Sequence, residues 1–210
     1  MPAVKALSRS ERKEIRHAEI IEAAFQEFAA KGYDAARLDD VADRVGVTKG
    51  SLYLYFDSKE ELFRAVVRRY TTQSIVDASK SVVGTGQSAA ADLRAVLRTF
   101  YEHQVNDPHA RELVRLIIAG RGQFPELIAF YHSEMLERCF AGIRQTLEAG
   151  IARGEFRDVP TDNFVLVAWA PVLNAVIWQI VYARHYPLDM EKYFDMHCDL
   201  LLNGLCVKAR

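Results

Sequence analysis

One stretch, LDDVADRVGVTKGSLYLYF from Leu38 to Phe56, limits what this chain can fold into more than any other. Leu38, Val41, Ala42 and Val45 stand at i, i+3, i+4 and i+7, the stripe of one helix face. Gly46 follows, where a helix ends and the backbone takes a positive φ. Thr48 is then placed to cap a second helix through its side-chain oxygen. Leu52 and Tyr55 fall on the inward side of that helix, and the small Ala42 lets the two helices cross closely. This is helix-turn-helix spacing. It leaves Lys49, Gly50, Ser51, Tyr53 and Leu54 outside, free to enter a major groove.

A nucleic-acid reader needs a seat on phosphate, a close approach to the groove floor and side chains that reach bases. Thr48 brings a hydroxyl to a helix N-terminus, Lys49 brings charge, and Gly50 removes bulk. Ser51 bonds phosphate or a base edge, and Tyr53 and Tyr55 donate phenol O–H groups to phosphate, although Tyr55 also fits an inward position. Lys59, at the start of the next helix, reaches phosphate across the groove, and Arg37 does so from the other side. Leu54 meets a thymine methyl or nothing. The competing reading is a three-helix core with a polar outside. It accounts for Leu52 and Phe56 but not for two tyrosines beside a Lys-Gly-Ser run.

The run GVTKGSLYLYFDSKEELF, Gly46 to Phe63, resembles the signature of TetR/AcrR-type transcriptional regulators. IIEAAFQEFAAKGY, Ile20 to Tyr33, resembles the helix before it, and the likeness is loose elsewhere. Two positions depart from the pattern. Ala36 and Arg37 stand where the family has Thr then Ser or Thr, so the cap of the first motif helix is missing. Leu54 stands where the family often has a polar residue, commonly His. The resemblance implies DNA contacts by Thr48, Lys49, Ser51, Tyr53, Tyr55 and Lys59, and an effector-binding, dimerising domain behind them.

Two capping boxes, Ser8 to Glu11 and Ser58 to Glu61, open helices. The first is expected from about Ser10 to Ala30 and the second to about Lys80, with Gly84-Thr85-Gly86 as a break. Further helices are expected near 89–105, from Pro108 to Gly120 or Gly122, from Pro125 to Gly154, from Thr161 to Arg184 and from Asp189 to Leu202. No strand is expected. The fold class is all-α, about nine helices in all: a helix-turn-helix domain over 10–57 and a larger domain over 58–210, entered through a connecting helix, 58–80.

In the larger domain a pocket between helices should be mostly apolar with a few polar groups. Phe100, Tyr101, Gln104, Leu116, Tyr131, Met135, Trp169, Leu173, Asn174 and Trp178 supply that mixture, and each fits a plain core position as well. Phe164 to Ala183 carries no charge and is long enough for a bilayer, but Pro171, Asn174 and Gln179 interrupt it. A helix apolar all round is covered on all sides, so a second copy of the chain is expected against the last two helices. Val172, Ile177, Val181, Phe194, His197 and Leu201 are the expected contacts of that homodimer.

The chain's net charge of −1 offers nothing to nucleic acid in bulk; only the local cluster Lys5, Arg9, Arg12, Lys13 and Arg16 does. Cys139, Cys198 and Cys206 are an odd count without a paired spacing, which fits a reducing cytoplasm. The start of the chain has no apolar signal segment. His103, His109 and His132 make no metal spacing, and neither a cofactor motif nor a catalytic set is visible. The expected partners are therefore operator DNA, a small-molecule effector and a second copy. Two rivals remain: a nonspecific DNA-organising protein, and a helical enzyme with a DNA-docking module.

Overall fold

The computed structural model describes residues 8–71, 88–120 and 124–207. Among them the elements are α1 (Arg9–Ala35), α2 (Leu38–Val45), α3 (Lys49–Tyr53), α4 (Lys59–Thr71), α5 (Ala89–Phe100), α6 (Pro108–Gly120), α7 (Pro125–Tyr131), α8 (Glu137–Ala152), α9 (Thr161–Val181) and α10 (Met190–Leu205). A π-helical turn, Tyr101–Val105, prolongs α5, and another, His132–Leu136, joins α7 to α8. The chain is all-α; the one β feature among the described residues is an isolated bridge between Phe156 and Cys206.

Two of the start signals act as read: Ser8 caps α1 with both bonds of a capping box, and Thr48 caps α3. Ser88 caps α5 and Asp189 caps α10, two caps that the sequence analysis did not single out. Arg37 stands at the N-cap of α2 and gives no side-chain bond, the consequence of the missing hydroxyl. Gly32 breaks α1 at φ 78°, and one more turn follows to Ala35. The expected end of the fourth helix near Lys80 and the Gly84–Gly86 break lie outside the described residues.

The chain divides into two compact units. The first holds residues up to Tyr70 together with Leu116–Ile128; the second holds Thr71–Arg115 and Ala129–Arg210. The division differs from the expected boundary at 57. In the first unit Phe63 of α4 packs edge-on against Phe28 and Tyr33 of α1, and Phe124 packs edge-on against Tyr33. Its core is Ile20, Ala24, Phe28, Val41, Leu52, Leu62 and Val66, all essentially fully buried. Truncating Leu52 to Ala there costs about 2–5 kcal/mol.

In the second unit α5, α8 and α9 surround an aromatic centre. Trp169 lies edge-on to both Phe100 (5.3 Å between centroids) and Phe140 (5.8 Å). Tyr101 meets Phe194 of α10 at 5.1 Å, and the Arg98 guanidinium covers the other part of that ring at 3.7 Å. The α9 helix is long and apolar enough to cross a bilayer by composition alone; one side of it, with Val165, Ala168, Val172 and Ala175, is buried within the unit.

Candidate nucleic-acid interface and effector core

In the first unit the helix-turn-helix forms as its residues dictate. Gly46 ends α2 at φ 73° in the left-handed region, and its N–H bonds back to the carbonyls of Ala42 and Asp43. Thr48 Oγ1 accepts from Ser51 N at 3.2 Å and lies 2.9 Å from Ser51 Oγ. Leu52 anchors α3 in the core, which turns Lys49, Gly50, Tyr53 and Leu54 outward; Leu54 is 79% exposed. Arg37 is exposed as well.

Gly50 has neither a positive φ nor a crowded neighbour, since a Cβ there would come no nearer than 4.0 Å to Thr48 Oγ1. The protein's own packing therefore gives no reason for glycine, which weakens a helix by about 1 kcal/mol relative to alanine. Lys49 Nζ pairs with Asp39 at 2.8 Å across two exposed side chains, a pair that phosphate can replace at little cost.

Lys59 is placed differently from the expectation. Its Nζ donates to the carbonyls of Tyr33 (2.9 Å), Asp34 (3.0 Å) and Ala36 (3.2 Å), and it sits 4.7 Å from the Tyr33 ring centroid. All three donors of the ammonium are engaged in holding the end of α1, leaving none for phosphate. Burial pulls its pKa below the usual lysine value.

The basic front end of the chain lies beside the end of the helix-turn-helix. Arg9, Arg12, Lys13 and Arg16 line an open cleft of about 830 Å³ that Leu54 and Tyr55 complete. Their spacing, i, i+3, i+4 and i+7 along α1, is the signal that identifies this face. Arg16 also bonds the Val45 carbonyl at 3.3 Å, which ties α1 to the end of α2. Inside, Glu27 is 1% exposed and is held by Lys31 (2.5 Å) and Arg44 (3.2 Å), a second tie between α1 and α2.

In the second unit Phe100, Tyr101, Gln104, Tyr131, Met135 and Trp169 are all buried, as a pocket lining requires. Four expected lining residues lie elsewhere. Leu116 belongs to the first unit, beside Tyr33, Phe63 and Phe124. Leu173 and Asn174 are on the outer side of α9, where Asn174 Nδ2 donates to Tyr193 Oη at 3.0 Å. Trp178 is half-buried, and its indole N–H donates to the Tyr186 carbonyl at 2.8 Å.

Gln104 Nε2 and Tyr131 Oη are buried with no hydrogen-bond partner. Each such atom costs about 1–3 kcal/mol in a folded protein. Burial raises the Tyr131 phenol far above its ordinary value and the Cys139 thiol to about 12. Burial lowers His197 to about 4, partly offset by the Ala168 carbonyl; its Nδ1 lies 3.2 Å from Tyr101 Oη. Among the described residues no group of His, Cys, Asp or Glu is arranged to hold a metal.

The expected dimer contacts also need correction. Val172 and Phe194 are fully buried within the unit, and His197 nearly so, so they offer a second copy almost nothing. The exposed apolar face of α9 and α10 holds Val181, one of the expected contacts, together with Leu166, Val167, Leu173, Met196 and Leu200. Ile177 and Leu201 are half-buried at its edge. A groove of about 300 Å³ on this face is lined by Val167, Pro171, Tyr193, Met196, His197, Leu200 and Leu201.

Residues 20–66 match the family model of bacterial regulatory proteins, tetR family, and residues 82–189 match that of the tetracyclin repressor-like C-terminal domain. The transcriptional repressor KstR2 of Rhodococcus jostii is 29% identical over 197 residues, 90% of this chain and 91% of its own length. The transcriptional activator FasR of Mycolicibacterium smegmatis is 33% identical over 99 residues, 47% of this chain and 45% of its own length. The solved structure of the regulator FadR from Bacillus subtilis, in complex with stearoyl-CoA, superposes with a TM-score of 0.75 at 20% identity, covering 90% of this chain and 98% of that one.

Proposed function

We propose, for a chain that belongs to the TetR family of bacterial regulatory proteins and is a ligand-responsive DNA-binding regulator, the mechanism of a cytoplasmic homodimeric repressor released from its operator by a small molecule. The observation that carries the DNA side is the outer face of α3. Lys49, Gly50, Tyr53 and Leu54 face solvent around the half-buried Ser51, and one of them is a glycine that the fold itself does not need. In this reading Thr48, Lys49, Ser51 and Tyr53 hold phosphate and Leu54 meets a thymine methyl. Arg37 and the basic side chains of α1 flank them on the backbone, and Tyr55 closes the cleft beside Leu54.

One motif reads few bases, so affinity and specificity need two. The exposed apolar face of α9 and α10 supports pairing with a second copy, which forms a four-helix contact about a twofold axis. Such a dimer presents two α3 helices to major grooves about 34–36 Å apart or a multiple of that. Release is a population shift: the effector binds the second unit in the state whose helix spacing misfits the duplex. Phe100, Tyr101, Gln104, Tyr131, Met135 and Trp169 are its proposed lining. The stearoyl-CoA bound by the similar FadR supports an effector with a large apolar part.

Selection from randomised duplexes, followed by a salt titration, tests this reading. A palindromic consensus bound far more tightly than bulk DNA is the expected result. Equal affinity for every sequence would establish the nonspecific rival instead.

A further inference from the structure

A proline stands in the middle of α9. Pro171 has no N–H, so the carbonyl of Val167, one turn earlier, loses its helical partner. A helical carbonyl points along the axis toward the residue four places on. Val167 and Pro171 both line the groove of about 300 Å³ between α9 and α10, and Val167 is 60% exposed. A free acceptor therefore stands on the α9 wall of this groove.

His197 of α10 lines the same groove and is only 7% exposed. Its Nδ1 lies 3.2 Å from Tyr101 Oη. Burial raises the Tyr101 phenol well above its ordinary value, so the phenol keeps its proton and donates it to Nδ1. The single hydrogen of the neutral ring is then on Nε2. The other tautomer would leave both Nε2 and the phenol hydrogen unpaired. The Ala168 carbonyl acts on the ring, yet no hydrogen bond reaches Nε2. A buried donor without an acceptor thus faces the wall that carries an acceptor without a donor.

One small group answers both: a hydroxyl, whose oxygen accepts from Nε2 and whose hydrogen goes to the Val167 carbonyl. We propose that the groove between α9 and α10 is a binding site for an uncharged phenol or alcohol with a compact apolar body, held by His197 Nε2 and the Val167 carbonyl. Leu200, Met196 and the Tyr193 ring supply the apolar walls, and Asn174 fixes the Tyr193 hydroxyl at 3.0 Å. The exposed Met196 has the rotatable bonds to turn aside for an occupant. The volume is at the lower end of small-molecule sites.

The chemistry of the lining excludes charge. None of the side chains around the groove is an acid or a base other than the neutral His197. The charged neighbours on α10 have partners of their own: Glu191 pairs with Arg98 at 2.6 Å, Lys192 with Asp189 at 3.2 Å and Asp195 with Arg94 at 2.6 Å, while Asp199 accepts from Asn203 at 2.8 Å. A carboxylate or an amine in the groove would meet no free counter-charge. The groove is a recess in the face proposed above for the second copy, and every residue of the site belongs to one chain.

The test is equilibrium dialysis of the full-length chain against three probes of one shape. 2-Naphthol donates and accepts, 2-methoxynaphthalene only accepts, and naphthalene does neither. The wild type should bind 2-naphthol saturably, 2-methoxynaphthalene about tenfold more weakly and naphthalene more weakly again. Pro171→Ala restores the N–H that takes the Val167 carbonyl. Its affinity for 2-naphthol should fall to that for 2-methoxynaphthalene, which itself stays unchanged. His197→Leu should bring both down to naphthalene; where that variant does not fold, Pro171→Ala decides alone. Val181→Glu, whose charge is on the same face but outside the groove, should bind 2-naphthol as the wild type does.

Naphthalene bound as tightly as 2-naphthol by the wild type overturns the proposal. So does a Pro171→Ala variant that weakens all three probes alike, or none of them. Tighter binding of the anion 2-naphthoate than of 2-naphthol also ends it. Loss of 2-naphthol binding in Val181→Glu does the same, since the site would then not be contained in one chain.

Discussion

Gly50 and Gly150 are glycines for opposite reasons, and substitution tells them apart. A Cβ on Gly150 would lie 2.2 Å from the Phe156 ring and 2.8 Å from the Ala89 methyl, so α8 closes on its neighbours only through glycine. Gly150→Ala should lower stability by about 1–3 kcal/mol, read as a fall in melting temperature. Gly50→Ala has open space around it and should hold or slightly raise the melting temperature. Its effect should fall on operator affinity, by about tenfold or more, if the duplex approaches that backbone. Gly50 was legible in the sequence because its neighbours gave it a role; Gly150 was not, because a close contact between distant segments leaves no local pattern. His197 gives a third residue-scale prediction. Its pKa is lowered to about 4 in the fold, so the unfolded chain binds the extra proton first as pH falls. Stability conferred by the neutral ring is complete above pH of about 6.5 and is lost as pH drops toward 4, by up to about 3 kcal/mol. Melting curves at pH 5 and 7 for the wild type and His197→Gln check it: the variant should lose most of that pH dependence.

At the scale of elements, caps and stripes in the sequence placed nearly every helix, because signals such as Ser8, Thr48 and Gly46 act locally. What each face meets was harder to read. Periodicity says that α9 is apolar all round; it does not say which of its sides the rest of the unit covers, and the expected contacts Val172 and Phe194 fell on the covered side. Lys59 opens α4 and resembles a phosphate ligand in sequence, yet the end of α1 takes all its donors. Lys49 and Lys59 should therefore separate in a salt titration. Lys49→Met should reduce the slope of log affinity against log salt by about one unit with the melting temperature unchanged. Lys59→Met should leave the slope intact and cost about 1–3 kcal/mol of stability, from the carbonyls it leaves bare. A slope that drops equally in both would return Lys59 to the phosphate backbone.

At the scale of the whole molecule, the proposed mechanism needs two copies held at a fixed pitch, and nothing local in the sequence encodes a partner's position. The exposed face through Val167, Leu173, Met196 and Leu200 gives the proposed contact its address. Charge placed there, as in Leu200→Glu or Val167→Glu, should yield folded monomers by light scattering whose operator affinity falls by orders of magnitude. A dimer that survives both substitutions would move the interface elsewhere. The most direct measurement is a hydroxyl-radical footprint of the wild-type chain on the duplex it selects. Two symmetric protected patches are expected, their centres separated by whole turns of the double helix, both fading when the effector is added. Uniform protection along the duplex, or a single patch bound by one copy, would contradict it.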